Sequence, residues 1–247
     1  MALLEATGVW KSFGGVVANR DISLCVGEGT IVGLIGPNGS GKTTLFNSVV
    51  GTHPIDNGSV LFDGREITRL GVRQIARLGL LRTFQQTRIY GRMSCIQNML
   101  ISNSERGRGV LGLFAGQRSA GIAERAGELL EFVGLYPKRD ELAGDLSFGQ
   151  QKLLEFAMAM MNRPRMLMLD EPTAGINPTL INGLIDRLKR ANADFGVTLL
   201  VIEHNMRVIM NLADRIYCLA HGELLAEGTP EQIQNNPLVV DAYLGAH

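Results

Sequence analysis

Thr30-Ile31-Val32-Gly33-Leu34-Ile35-Gly36-Pro37-Asn38-Gly39-Ser40-Gly41-Lys42-Thr43-Thr44-Leu45-Phe46-Asn47-Ser48-Val49-Val50-Gly51 is the stretch on which the reading of the fold turns. Its opening, TIVGLIG, is a short apolar run of the kind that makes a buried strand. Leu45, Val49 and Val50 then recur at helical spacing, and Gly51 stands where a helix ends on a C′ glycine. Between strand and helix, residues 36–43 match G-x-x-x-x-G-K-[ST] without deviation. Glycines let the backbone fold around an anion, so that successive N–H groups and the helix N-terminus point at the β- and γ-phosphates of a nucleotide. Lys42 adds a point charge there and Thr43 offers a hydroxyl to Mg²⁺. A glycine-rich loop with an incidental lysine is the alternative, and the flanking strand and helix argue against it.

Working outward, IDNGSVLFDGREI carries Asn57-Gly58 and Asp63-Gly64 as brackets around a hairpin strand, so the first 67 residues are strand-rich. From Arg88 to Arg163 the apolar spacing becomes helical, as in ERAGELLEFVGL and QQKLLEFAMAMM, with a glycine-rich interruption at 106–116. Beyond it RMLMLD and VTLLVIE read as strands of a parallel sheet buried on both faces, separated by a helix near 179–193. Thr229, Pro230 and Gln232 form a capping box that opens a last helix. The class is α/β.

A chain of 247 residues fits one large domain with a subdomain better than two equal ones. With 45% hydrophobic and 19% charged residues it is globular. Twenty-four Lys and Arg balance 24 Asp and Glu, so no overall positive field gathers nucleic acid, and no nucleic-acid partner is expected. One local feature runs the other way. Arg69, Arg73, Arg77, Arg82, Arg88 and Arg92 are unbroken by any acid, the first three at helical spacing, which suits a solvated face or one near anionic headgroups, with RNA as the alternative. Cys25, Cys95 and Cys218 form no C-x-x-C pair, and the N-terminus has no signal-peptide pattern. The most apolar window is broken by Glu155, Arg163, Pro164 and Arg165, so a membrane role is expected to be peripheral.

MLMLDE, residues 166–171, is an apolar strand ending in two carboxylates, which sets them at the sheet edge where α/β proteins bind ligands. Alone it is equally an acidic turn. Beside a phosphate loop, Asp170 reads as part of an Mg²⁺ shell and Glu171 as the group that polarises an attacking water. In LSFGQ, residues 146–150, Ser147 and Gln150 make an ordinary capping box.

The phosphate loop, LSFGQ and LMLDEP, in this order and spacing, resemble an ATP-binding-cassette (ABC) ATPase over nearly the whole chain. The resemblance implies a RecA-like core, an N-terminal antiparallel β subdomain and an α-helical subdomain. It divides the single ATP-binding domain 1–247 into 1–87 with 164–247, and 88–163. It implies ATP and Mg²⁺ as ligands. Nucleotide contacts would fall to Phe13, stacking on adenine, to Gly36, Pro37, Asn38, Gly39, Ser40, Gly41, Lys42, Thr43 and Thr44, and to Ser147, Gly149 and Gln150 acting on a partner's nucleotide. Thr43, Asp170 and Gln85 would share the metal, with Gln86 as the neighbouring alternative to Gln85. Lys42, Glu171, Gln85 and His204, the last in VIEHNM, would carry catalysis. The chain departs from the family with Phe148 where glycine is usual, Asn177 where aspartate is commoner, and Met158 where arginine is common; nothing in the sequence explains Met158.

FGG at 13–15, RTFQ at 82–85, GLFAG at 112–116, AGINP at 174–178 and the ending GTPEQIQNNPLVVDAYLG look like the ATPase subunits of branched-chain (hydrophobic) amino-acid importers; urea-importer and lipopolysaccharide-exporter ATPases look similar. The implied partners are two transmembrane permease subunits, a second ATPase subunit, identical or paralogous, and indirectly an extracytoplasmic substrate-binding protein. The implied place is the cytoplasmic face of the cell (inner) membrane. The apolar, arginine-flanked stretch around Leu113 and Phe114 is expected to dock on the permeases. A ribosome- or nucleic-acid-associated ABC ATPase is the alternative of another class, but two cassettes do not fit in this length.

Overall fold

The computed structural model describes residues 1–83, 89–103 and 116–244. The chain forms two compact units, one of residues 1–82, 165–173 and 188–247, the other of 83–164 and 174–187.

The first unit holds two sheets. One is antiparallel, in the order β2-β1-β4-β5, from β1 (Ala2–Phe13), β2 (Val16–Gly27), β4 (Asn57–Phe62) and β5 (Arg65–Glu66). The other has six strands in the order β10-β9-β3-β8-β7-β6. They are β3 (Ile31–Ile35), β6 (Leu80–Arg82), β7 (Met166–Asp170), β8 (Thr198–Ile202), β9 (Arg215–Ala220) and β10 (Glu223–Gly228). All pairs in this sheet are parallel except β9 with β10. Every residue of β3, β7 and β8 is buried, which is why these strands are continuous apolar runs. The helix α1 (Lys42–Val49) supplies Leu45, Phe46 and Val49 to one core shared with Leu4 and Phe62 of the antiparallel sheet and Met168 and Leu200 of the parallel one.

Two sequence expectations change here. Asp63 and Gly64, at φ 53° and 71°, do turn β4 into β5. Asn57 and Gly58, however, lie inside β4, opposite an irregularity of β1 between Thr7 and Trp10. A Cβ on Gly58 would stand 2.3 Å from the Gly8 carbonyl oxygen, so this glycine serves close strand approach, not a turn. The arginine face also dissolves. The helix α2 (Val72–Arg77) starts only after Gly71, whose N–H donates to Gln74 Oε1, and Arg69 precedes it.

The second unit is helical: α3 (Cys95–Ser102), α4 (Gly116–Phe132), α5 (Phe148–Met160) and the first part of α6 (Pro178–Phe195), with 3₁₀ turns at Tyr136–Lys138 and Ala143–Asp145. Buried Asn98 ties α3 to the segment before it, exchanging hydrogen bonds with both backbone groups of Tyr90. Arg125 of α4 donates to the Met160 carbonyl at the end of α5. Residues 174–187 join this unit, whereas the sequence assigned all of 164–247 to the core; the reason is local, since Ile176 and Leu180 lie against Gly149 of α5.

Back in the first unit, α7 (Met206–Leu212), α8 (Pro230–Gln234) and α9 (Pro237–Leu244) complete the fold, with Thr229 Oγ1 capping α8 as the sequence requires. Among the described residues no helix is long and apolar enough to cross a membrane.

Candidate functional site: a phosphate cradle at the edge of the parallel sheet

β3 ends at Ile35, and the chain turns through Gly36, Pro37, Asn38, Gly39, Ser40 and Gly41 into α1. Gly36, Gly39 and Gly41 take φ of 146°, 78° and 98°, values that only glycine adopts readily. Space gives a second reason. A Cβ at Gly36 would lie 2.1 Å from the Leu219 carbonyl oxygen, and one at Gly41 would lie 2.3 Å from that of Ala18. Asn19, which the sequence reading missed, secures the loop's far end by donating to the Gly41 carbonyl at 3.0 Å.

Lys42 is 5% exposed, and its ammonium donates to the carbonyls of Gly36 and Pro37 at 2.8 and 2.9 Å and to Ser40 Oγ at 3.3 Å. Burial pushes its pKa down, while the negative charges of Glu171 and Asp170 pull the other way. The loop is thus closed on its own lysine. No described side chain caps α1, and its first turn carries no acid, so its leading N–H groups keep their donors for an anion. Thr43 is exposed and Thr44 half-buried on that first turn.

Two strands away, β7 delivers Asp170, 2% exposed, and the next residue is Glu171 in a left-handed conformation, φ 49°. A non-glycine residue held there stores strain that its surroundings must impose. They do: the Glu171 N–H donates to the Ile202 carbonyl at 2.9 Å, and Thr173 is clamped by buried Glu203, which accepts from its N–H at 2.9 Å and its hydroxyl at 2.5 Å. Glu203 was missed in sequence because it reads as the polar end of a strand. His204, the residue after it, presents Nε2 to Glu171 Oε1 at 2.6 Å. Asp170 meets Arg82, whose guanidinium also donates to Asn47 of α1. That bridge was missed as well, because Arg82 read as one member of an arginine series.

The other candidates are distributed as follows. Gln85 and Gln86, with Leu113 and Phe114, lie outside the described residues. Phe13, at the end of β1, is 45% exposed and meets the His53 ring edge-on at 5.4 Å, with the Lys11 ammonium 5.1 Å from its centroid. Ser147 Oγ caps α5 by accepting the Gln150 N–H, and Gln150 Oε1 accepts the Ser147 N–H in return. Gly149 follows Phe148 in the first turn of that helix, within the second unit.

An oxygen-only donor set fits Mg²⁺: a buried carboxylate that already holds a cation, the Arg82 guanidinium, and the hydroxyl of Thr43. Among the described residues no three His, Cys, Asp or Glu converge, so an ion here would draw most of its oxygens from phosphates and water.

Compared with known proteins, residues 19–174 match the family described as ABC transporter, and residues 223–247 match one described as Branched-chain amino acid ATP-binding cassette transporter. The chain is 42% identical to the high-affinity branched-chain amino acid transport ATP-binding protein BraF of Pseudomonas aeruginosa, over 98% of each chain. It is 39% identical to the probable branched-chain amino acid transport ATP-binding protein LivG of Archaeoglobus fulgidus, over 100% of this chain and 96% of that one. Two solved structures are similar. A nucleotide-free ATP-binding cassette from an ABC transporter superimposes with a TM-score of 0.87 at 35% identity over 98% of this chain and 99% of that one. A cassette in its ADP conformation gives 0.89 at 34% identity over 99% of both.

Proposed function

The chain belongs to the ABC transporter family, whose cassettes bind and hydrolyse ATP, and we propose that it powers import of branched-chain or other hydrophobic amino acids through separate permeases. The observation that carries this reading is the convergence at one sheet edge of the Gly36–Thr43 loop, Asp170 and Glu171, with His204 Nε2 2.6 Å from Glu171 Oε1. The relatives' names and the match of residues 223–247 support the cargo. We take residues 1–247 to act as one ATP-binding domain.

In this mechanism the loop N–H groups and the N-terminus of α1 hold the β- and γ-phosphates, and Lys42 leaves the Gly36 and Pro37 carbonyls to neutralise them. Thr43 and Asp170 would hold Mg²⁺, which would offset the charge that develops on the phosphate oxygens. Glu171 accepts a proton from the attacking water, and His204 fixes the carboxylate in position through its ring nitrogen. Phe13 offers an exposed ring to adenine. Gln85, outside the described residues, would join the metal shell and contact the permeases. Ser147, Gly149 and Gln150 complete the nucleotide site of a second ATPase subunit. The assembly then sits at the cytoplasmic face of the membrane, with two permeases and an extracytoplasmic binding protein that delivers cargo.

ATP hydrolysis by the purified chain tests the site: slow, Mg²⁺-dependent turnover is expected, and it should vanish in Lys42→Ala. Turnover without Mg²⁺, or retained in that variant, contradicts the assignment. Proteoliposomes carrying the chain with its permeases and binding protein test the cargo. ATP-driven leucine uptake is expected; urea uptake or lipopolysaccharide extraction in its place would reassign the transporter.

A further inference from the structure

The C-terminal helix reaches the phosphate loop. Tyr243 of α9 is half-buried, and its hydroxyl oxygen accepts the Gly36 N–H at 2.8 Å. Gly36 is the hinge between β3 and the loop, and it has no room to move sideways. β9 closes on it so tightly that a Cβ would lie 2.1 Å from the Leu219 carbonyl and 2.7 Å from Ser40 Oγ. The residue is therefore held at three points: the wall of β9, the lysine on its carbonyl at 2.8 Å, and the phenol on its N–H.

These three points do not all survive nucleotide binding. A phosphate that recruits the Lys42 ammonium takes it from the Gly36 and Pro37 carbonyls, because an ammonium has only three protons to donate. The phenol bond uses the Gly36 N–H, a different group from the carbonyls the lysine holds. It remains as the polar anchor that keeps the loop entrance fixed while the lysine changes partners, and a loop that is already fixed loses less conformational freedom on binding. The hydroxyl stays neutral at every physiological pH, since burial pushes its pKa up to about 12.

We infer that Tyr243 is a positioning residue for ATP, through which the C-terminal segment 223–247 sets the nucleotide affinity of the phosphate loop. The segment matches a family of its own, separate from the match at 19–174, yet it contains the residue that holds the loop's first glycine. The inference rests on the ATPase reading above and adds a residue to it.

The test compares Tyr243→Phe with Leu238→Ser in the full chain, Leu238 being 58% exposed on the same helix. Titration calorimetry with ATP and Mg²⁺ reads affinity, and steady-state hydrolysis reads KM and kcat. Tyr243→Phe keeps the ring and removes one hydrogen bond, so the ATP Kd and KM should rise about 3- to 10-fold with kcat nearly unchanged. Leu238→Ser should bind ATP as the parent does. Parental affinity in Tyr243→Phe, or equal weakening in both variants, overturns the inference while the ATPase reading stands. Failure of the parent to bind ATP, with Lys42→Ala no worse, removes the reading and the inference together.

Discussion

The Arg82 guanidinium donates to Asp170 Oδ2 at 2.5 Å, with both side chains almost wholly out of water at 8% and 2% exposure. A second nitrogen of the same guanidinium reaches Asn47 on the helix that follows the phosphate loop. One cation therefore joins β6, β7 and α1 and lends the carboxylate a neighbouring positive charge.

Replacing Arg82 by Ala leaves a buried carboxylate without its partner, a change that costs about 3–5 kcal/mol. Urea unfolding of Arg82→Ala should show a loss on that scale, and millimolar Mg²⁺ without nucleotide should restore part of it, because the bared carboxylate then prefers a metal. The parent should respond little to Mg²⁺ alone. An Arg82→Ala variant as stable as the parent would mean that the pair adds nothing to the fold.

Phe148 stands where the family usually has glycine, and the structure gives that substitution a consequence. Gly175 has φ 74°, and a Cβ there would lie 2.8 Å from the edge of the Phe148 ring. Gly175→Ala should lose about 1–3 kcal/mol from backbone strain and the clash. The double variant Phe148→Gly with Gly175→Ala should recover the part due to the ring. Thermal unfolding of the two single variants and the double variant separates the two contributions; strict additivity would rule out the contact. Met158 remains without a structural explanation.

Much of this was legible in the chain. Gly36–Thr43 is a local motif whose strand and helix are equally local, and β7 and β8 are apolar runs with no rival reading. Capping boxes at Ser147 and Thr229 are likewise set within four residues. What escaped were partnerships at long range. Arg82 with Asp170 and Tyr243 with Gly36 span 88 and 207 positions, and no periodicity encodes them. Asn57-Gly58 misled because a turn and a close strand crossing ask for the same residue. The three arginines at helical spacing misled because Gly71 starts the helix after the first of them.

Asp56 accepts from the Ser12 hydroxyl, the Ser12 N–H and the Lys11 ammonium, and these bonds lower its pKa from 3.8 to about 2. A carboxyl whose folded pKa is depressed contributes stability above its ordinary pKa and loses it as pH falls through the folded value. The lock on Lys11 and Ser12, next to Phe13, should hold above about pH 4 and release toward pH 2. Trp10, the chain's single tryptophan, reports it, since its carbonyl accepts the Asp56 N–H at 2.8 Å. Its emission should change over that range in the parent. In Asp56→Asn the step should be absent, with ATP affinity reduced at neutral pH; an identical acid profile in the variant would detach the lock from Asp56.

Glu171 is fixed at both its backbone and its carboxylate. Its carboxylate is the only one bonded to His204 among the described residues, and a left-handed backbone, anchored on Ile202 and backed by the Glu203–Thr173 clamp, fixes its direction. Glutamine keeps the shape and the bond to the ring but cannot take a proton, so Glu171→Gln should slow hydrolysis by roughly 100-fold or more, the scale of losing a general base. Binding should survive, because Lys42 and the loop N–H groups are untouched. ATP then persists on the protein long enough for Ser147 and the N-terminus of α5 in a second subunit to engage its γ-phosphate, an interaction the exposed helix end favours by its donors and dipole. Light scattering after size exclusion should find Glu171→Gln dimeric with ATP and Mg²⁺, alone or mixed with a paralogue, and monomeric with ADP. Ser147→Ala in the same background should weaken the dimer without changing ATP affinity of the monomer. An ATP-saturated Glu171→Gln protein that stays monomeric with every candidate partner would refute a mechanism in which two subunits enclose the nucleotide.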